Sequence, residues 1–325
     1  MPTVQEHFQE LLSKHTAGDL PIEREPMLIP GDTEPEAGFK FLAEKGIRAC
    51  PVFDTSHTII GTLDLRDSCG FICQAFAESQ QSSSQGKSLL HMLTDRGTSR
   101  LIKITDPSIT ELAKQRPFKV FPPDTTLLQV SRALASGSHI VGISGGPDEK
   151  GGLSRVVTQG ILLKFVAPEL EGQKIPVKAA MTSPAVSLKC TDPAFRGFVM
   201  MATRGISSIA VVDETGQIIH NLSASDVRLY FGTQEMEAAK DLDSEMEDYL
   251  ARKQCASAKS KTRAPISVCK EDDDLANVVT KLVKTGYHRV WVVRDKKPVG
   301  VLSLTDVFKK LVTDDKEEQS SCVIS

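Results

Sequence analysis

No apolar run in this sequence approaches the ~18 residues a membrane-spanning helix needs. The start, Met1-Pro2-Thr3-Val4-Gln5-Glu6, lacks the basic-then-apolar layout of a secretory signal. An excess of one charge is also missing. Lys and Arg number 39 against 42 Asp and Glu, a net charge of -3, which argues against the basic face of a general nucleic-acid binder. The seven cysteines (50, 69, 73, 190, 255, 269, 322) form no CxxC pair, and so odd and sparse a set argues against a disulfide framework or a zinc site. A reducing cytoplasm is the expected location. Catalytic signatures are lacking too: there is no GxSxG, no Walker A loop and no HExxH, so an enzyme is not expected. What is present is globular in character. The 325 residues are about two domains' worth, 40% hydrophobic and 25% charged.

The chain repeats one pattern four times. In the fourth copy, Pro265-Ile266-Ser267-Val268 starts extended. Asp272-Asp273-Asp274 then precedes Leu275, Val278, Val279, Leu282 and Val283, an apolar stripe at helical spacing with acids at its N-terminal end. Gly286 stops that helix. Val290–Val293 reads as a buried strand, Asp295–Pro298 as a turn and Val299–Leu302 as the return strand. Ser303-Leu304-Thr305-Asp306 opens a last helix, and Ser223-Ala224-Ser225-Asp226 does so in the third copy. Asp64-Leu65-Arg66-Asp67 and Thr158-Gln159-Gly160-Ile161 hold the same place in the first and second. Each unit reads β-α-β-β-α over about 50 residues, too few to bury its sheet alone, so the units should pair. The expected layout is a helical arm at 1–25 and repeats at 26–77, 117–170, 171–231 and 262–313. A Ser/Gln-rich insertion with a linker helix at 78–116 and a charged linker at 232–261, helical around Met236–Tyr249, separate them. A polar tail at 314–325 follows.

This layout resembles the cystathionine-β-synthase (CBS) repeat, two of which form a Bateman module. Two modules behind an N-terminal helix resemble the gamma regulatory subunit of AMP-activated protein kinase. The resemblance implies an α/β fold of four CBS repeats, paired into two modules that form a disk. It also implies a non-catalytic sensor of AMP, ADP or ATP, with kinase catalytic and scaffold subunits as partners.

A helix N-terminus offers unpaired N–H groups and partial positive charge, which suit phosphate, and an Asp carboxylate there accepts a ribose diol. The resemblance makes Asp67, Asp226 and Asp306 ribose anchors. It makes Ser223, Ser225, Ser303 and Thr305 ribose or phosphate contacts, and adds Thr182 to the set. His288-Arg289, just before the central strand, matches the family's phosphate-reaching dipeptide; Arg48 and His139 fall at the same repeat position. These four residues are expected to converge on one phosphate cluster, since Arg binds polyanions through bidentate, charge-assisted hydrogen bonds. The plainer alternative is that Ser and Asp simply cap helices, as they do in any protein. The sequence also departs from the family pattern. Ile140 follows His139 where the family has Arg, Gly160-Ile161 stand where it has basic residues, and Ser207-Ser208 replace the dipeptide. Asp64 is expected to repel a nearby phosphate.

The last four residues, Cys322-Val323-Ile324-Ser325, read as a C-a-a-X box of the farnesylated type, which would give weak, reversible membrane attachment. The leading expectation is an energy-sensing nucleotide-binding subunit. The alternative is a CBS-domain scaffold without nucleotide, carried to membranes by a prenyl group on Cys322.

Overall fold

The computed structural model describes residues 3–21, 24–79, 108–145, 152–227, 242–257 and 266–313. Four three-stranded sheets account for all the strands among them. In the first, β1 (Ile29–Pro30) runs parallel to β2 (Ala49–Phe53), which pairs antiparallel with β3 (Ile59–Asp64). The same parallel-then-antiparallel order recurs three times. The strands are β4 (Val120–Phe121), β5 (Ile140–Ser144) and β6 (Leu153–Thr158); β7 (Ser187–Lys189), β8 (Ser208–Val212) and β9 (Ile218–Ser223); and β10 (Val268–Cys269), β11 (Arg289–Arg294) and β12 (Lys297–Ser303). Every central strand also breaks register near its end, at Val52/Phe53, Ile143/Ser144, Val211/Val212 and Val292/Val293. A β-bulge kept at one place in four divergent copies marks a common architectural device.

Each repeat sets a helix between its first two strands: α2 (Pro35–Lys45), α5 (Leu127–Ala135), α7 (Ala194–Arg204) and α9 (Leu275–Thr285). Two further helices precede α5 in the chain, α3 (Leu65–Ser79) and α4 (Ile109–Lys114), and α6 (Gln159–Val166) precedes α7. The glycine after each of the first set, Gly46, Gly137, Gly205 and Gly286, has φ between 63° and 99°, the left-handed turn that ends a helix without Cβ strain. Thr126 and Asp274 cap α5 and α9 at their N-termini through side-chain oxygens. The second helix of a repeat is α3, α6 or α10 (Leu304–Val312), and in the third repeat a single 3₁₀ turn at Ala224–Val227 is what the described residues include. The N-terminal arm is α1 (Val4–Ser13), opened by a reciprocal Thr3–Glu6 capping box. Its Gln5 and Gln9 side chains donate to the Thr313 and Val312 carbonyls, covering the end of α10.

Two cores result. Phe39, Leu42, Leu63 and Ile72 of the first repeat pack with Phe198, Val211 and Leu222 of the third. Val130, Leu134 and Leu162 of the second repeat pack with Val279, Val290 and Phe308 of the fourth, and Phe8 and Leu12 of the arm complete that core. Polar contacts join the repeats the other way. Arg66 Nη2 donates to Gly137 O between the first and second, and Trp291 Nε1 donates to Asn221 Oδ1 at 3.0 Å between the third and fourth. Each repeat therefore touches two others, and the four close on themselves. Burying each large apolar side chain contributes roughly 1.5–3 kcal/mol, so neither pair of sheets would be covered without its partner.

In the charged linker, α8 is Met246–Ser257 and runs past the expected end at Tyr249; the expected start at Met236 lies among residues 228–241, outside the described set. Met246, Tyr249 and Leu250 enter the first core, and that tertiary contact fixes the helix. The insertion at 80–107 and the tail with Cys322 also lie outside the described residues.

Candidate functional site

One backbone hydrogen bond recurs in all four repeats and places the candidate cations. The carbonyl just ahead of the central strand accepts the N–H at the start of the second helix: Arg48 O from Leu65, His139 O from Gln159, Ser207 O from Ala224 and His288 O from Leu304. Side chains at these four positions therefore stand beside four helix starts, where orphan N–H groups and the helix dipole favour an anion. Three of them, Arg48, His139 and His288, line a single cavity of about 430 Å³, within the size range of small-ligand pockets. Thr158, Gln159 and Gly160 contribute its polar floor, and Met27, Ile47, Pro51, Val156 and Ile161 its apolar walls.

Arg289 sits one residue further on. Its Nη2 donates to Ser207 Oγ at 2.9 Å, across the repeat boundary. Burial, and next the charge of Arg48, push its pKa down to about 9, with Arg66 acting the same way and Asp226 and Asp306 opposing. A guanidinium that stays protonated beside two others is an electrostatic cost that a polyanion would remove. His139 is neutral near pH 7. Burial pushes it down to about 4; Arg48 and Arg66 add to that shift and Asp64 opposes it. Its Nδ1 lies 2.7 Å from Asp64 Oδ2 but out of line for a hydrogen bond.

Asp64 corrects an expectation. It does not face the site as a repelling charge. Arg66 Nε and Nη2 each bind one of its oxygens at 3.0 Å, and His139 approaches the second. Burial works against its charge, but His139 and Arg66 outweigh burial and hold the carboxyl well below the usual range.

The expected ribose anchors differ from one another. Asp306 is 9% exposed and holds the helix start: its Oδ2 accepts the Ser303 N–H at 2.7 Å and the Ser303 hydroxyl at 2.6 Å, and Ser303 Oγ in turn accepts the Asp306 N–H. Its Oδ1 accepts the Thr182 hydroxyl at 2.8 Å. Thr182 reaches it because its backbone exchanges both hydrogen bonds with Val301 of β12. Asp226 accepts the Ser223 N–H at 2.8 Å and the Ser223 hydroxyl at 3.1 Å, and its own carbonyl accepts Tyr249 Oη, which ties α8 to this helix start. Ser225 is half-buried in the same turn. Thr305 accepts from Gln159 Nε2 at 2.8 Å, a link between the second and fourth repeats. Asp67 is engaged by a cation instead: both its oxygens accept from the Arg116 guanidinium.

Sequence reasoning missed Arg66, Arg116 and Gln159. Arg116 and Gln159 act on residues of another segment, so spacing along the chain carries little trace of them, whereas Arg66 binds Asp64 only two residues before it. For Arg116 a signal existed: it lies a few residues before a repeat's first strand, as Thr182 does. Among the described residues no group of three His, Cys, Asp or Glu could hold a metal ion, and no helix is long and apolar enough to cross a membrane.

Comparison with known proteins agrees with this fold. The CBS domain profile matches residues 177–232 and 261–313, which are the third and fourth repeats; the first two share their topology, bulge and glycine stop. The gamma subunit of 5'-AMP-activated protein kinase from Dictyostelium discoideum is 22% identical over 95% of this chain and 53% of its own length. Protein SDS23 of Kluyveromyces lactis is 26% identical over 64% of this chain and 46% of its own. The chain thus spans about half the length of the curated relatives it matches. Among solved structures, protein MJ1225 of Methanocaldococcus jannaschii, proposed as an archaeal homologue of g-AMPK, superposes with a TM-score of 0.65 at 12% identity, covering 88% of this chain and 96% of that one. A Pyrococcus horikoshii protein gives 0.51 at 14% identity over 90% of this chain and 97% of its own. With the fold, the repeats and these likenesses together, the third and fourth repeats are CBS domains, and the four-repeat chain resembles the gamma regulatory subunit of AMP-activated protein kinase.

Proposed function

We propose that this chain is a non-catalytic regulatory subunit that binds adenine nucleotides, AMP, ADP or ATP, and reports their occupancy to a protein kinase of the AMP-activated type. The observation that carries the reading is the convergence of Arg48, His139 and His288, from three repeats, on one cavity, with Arg289 beside it. Helix starts surround that cluster, so phosphates would meet cations and helix dipoles together. Asp226 and Asp306, each at a helix start, would hold ribose hydroxyls, with Ser223, Ser225, Ser303, Thr305 and Thr182 around them. A ligand bridging repeats would bias their packing, and that bias is what a partner can read.

Isothermal titration of the purified chain with AMP, ADP and ATP at physiological salt tests the reading. Micromolar binding that weakens at least tenfold in Arg289→Ala supports it; no heat with any of the three defeats it. Co-purification with kinase catalytic and scaffold subunits tests the partner.

A second reading draws on a specific observation. The Ser303–Asp306 capping box and the Arg116–Asp67 pair are also what a purely structural repeat would contain. On that reading the chain is an interaction scaffold, with Cys322 as its lipid attachment site, and titration with all three nucleotides would be silent.

A further inference from the structure

Two linkers cross their modules in the same way. Gly61 and Gly300 both face the bulged end of a central strand, opposite Val52 and Val292. Both lie under a linker: a Cβ at Gly61 would be 2.0 Å from Ala113 O, and one at Gly300 would be 2.9 Å from Thr182 O. The next residue of each strand bonds the linker. Thr62 N–H donates to Arg116 O and Val301 N–H to Thr182 O, both at 2.9 Å. Arg116 and Thr182 are therefore equivalent, and each side chain reaches the carboxylate at the start of the following helix.

They do different things there. Thr182 gives Asp306 one hydroxyl, at 2.8 Å. Arg116 gives Asp67 a fork: Nε lies 2.8 and 3.0 Å from the two oxygens, and Nη2 lies 2.6 Å from Oδ1. The Asp64 N–H takes Oδ2 as well, at 3.1 Å. A carboxylate has about four acceptor sites, and a vicinal diol would claim two of them with two parallel O–H donors. The guanidinium fork already occupies that pattern, with a charge that a diol lacks. Asp67 is 6% exposed and Arg116 26%, so a ligand that displaced Arg116 would strand a largely buried cation. Binding at such a clamp would be weaker by roughly a hundredfold or more.

We propose that Arg116 is a built-in occupant of the first repeat's clamp and so sets how many nucleotides the chain holds. This deepens the nucleotide reading and rests on it. The second repeat has Ile161 where the others have Asp, so with Arg116 in place neither of the first two repeats offers an open carboxylate.

The test is equilibrium titration of the full chain with AMP, counting equivalents bound. Asp226→Ala/Asp306→Ala should bind no AMP in the micromolar range. Adding Arg116→Thr, which copies Thr182, should restore one equivalent, and further adding Asp67→Ala should remove it again. One equivalent still bound by the double variant would overturn the proposal, because the first clamp would then be open already. A folded Arg116→Thr chain that gains nothing would overturn it too. If Arg116→Thr does not fold, the count in the double variant decides alone. A native chain that binds no AMP defeats the parent reading and this one with it, whereas a native chain that loses an equivalent in Asp306→Ala upholds the parent reading whatever Arg116 does.

Discussion

Asp306→Ala separates capping from ligand binding, because the structure assigns the carboxylate both tasks. Its structural task is local. The Ser303–Asp306 box satisfies helix-start donors, and losing a cap costs about 1 kcal/mol. The Thr182 hydroxyl also loses its acceptor, about 1 kcal/mol more. The fold should therefore weaken by about 2 kcal/mol, visible as a lower urea midpoint. The ligand task is larger. A ribose diol on an ionised carboxylate makes two charge-assisted bonds of about 1.5 kcal/mol or more each, so AMP affinity at this site should fall roughly a hundredfold. Ser303→Ala is the control. It removes the hydroxyl that Asp306 N–H and Oδ2 share but keeps the carboxylate, so stability should drop by about 1 kcal/mol while AMP affinity falls by no more than about tenfold, the loss of one neutral hydrogen bond. Paired urea melts and AMP titrations of the three chains give both numbers. If Ser303→Ala weakens AMP as much as Asp306→Ala does, the carboxylate acts only through the helix start, and the reasoning fails.

The remaining predictions concern the central cluster and the close-packed crossings. His139 is held neutral, down to about 4, among Arg48, Arg66 and Asp64, whereas in the unfolded chain it titrates near its ordinary value of 6.5. Between those values the unfolded chain binds more protons, so this contribution is whole above pH 6.5 and is lost on acidification. From pH 7 to 5 the chain should lose about 2 kcal/mol through this group; urea melts at both pH values should show it, and His139→Gln should remove it. Gly61→Ala would drive a Cβ into the Ala113 carbonyl, backbone that cannot step aside, and should cost about 3 kcal/mol. Gly160→Ala, whose Cβ would meet little beyond Thr158 Oγ1 at 3.6 Å in the first turn of α6, should be neutral or stabilise by up to about 1 kcal/mol; thermal melts of the two variants that come out in the opposite order would refute this account of the crossing.

What was legible in the sequence was what the chain encodes locally. Helix stripes, the four glycine stops and the paired strands are short-range patterns, and repetition made each copy check the others. The β-bulges left no such trace, because a register shift depends on the partner strand. The run of α8 beyond Tyr249 was hidden for a related reason: Met246, Tyr249 and Leu250 are chosen by the core beneath them, and a mostly polar helix shows little stripe of its own. The site divides along the same line. Arg48, His139 and His288 could be grouped because they share one position in a repeat, with Arg289 next to it, and one recurring carbonyl bond places that position at a helix start. Asp64 and Asp67 were ambiguous in the sequence because an acid at a helix start reads the same whether it awaits a ligand or already holds a cation. That difference lies in Arg66, two residues beyond Asp64, and in Arg116, 49 residues beyond Asp67. Repeat alignment finds the positions able to do the chemistry. The stretches just ahead of a repeat's first strand decide which copies are left to do it, so divergence of function in such a chain should concentrate at Arg116 and Thr182 rather than at the helix starts themselves.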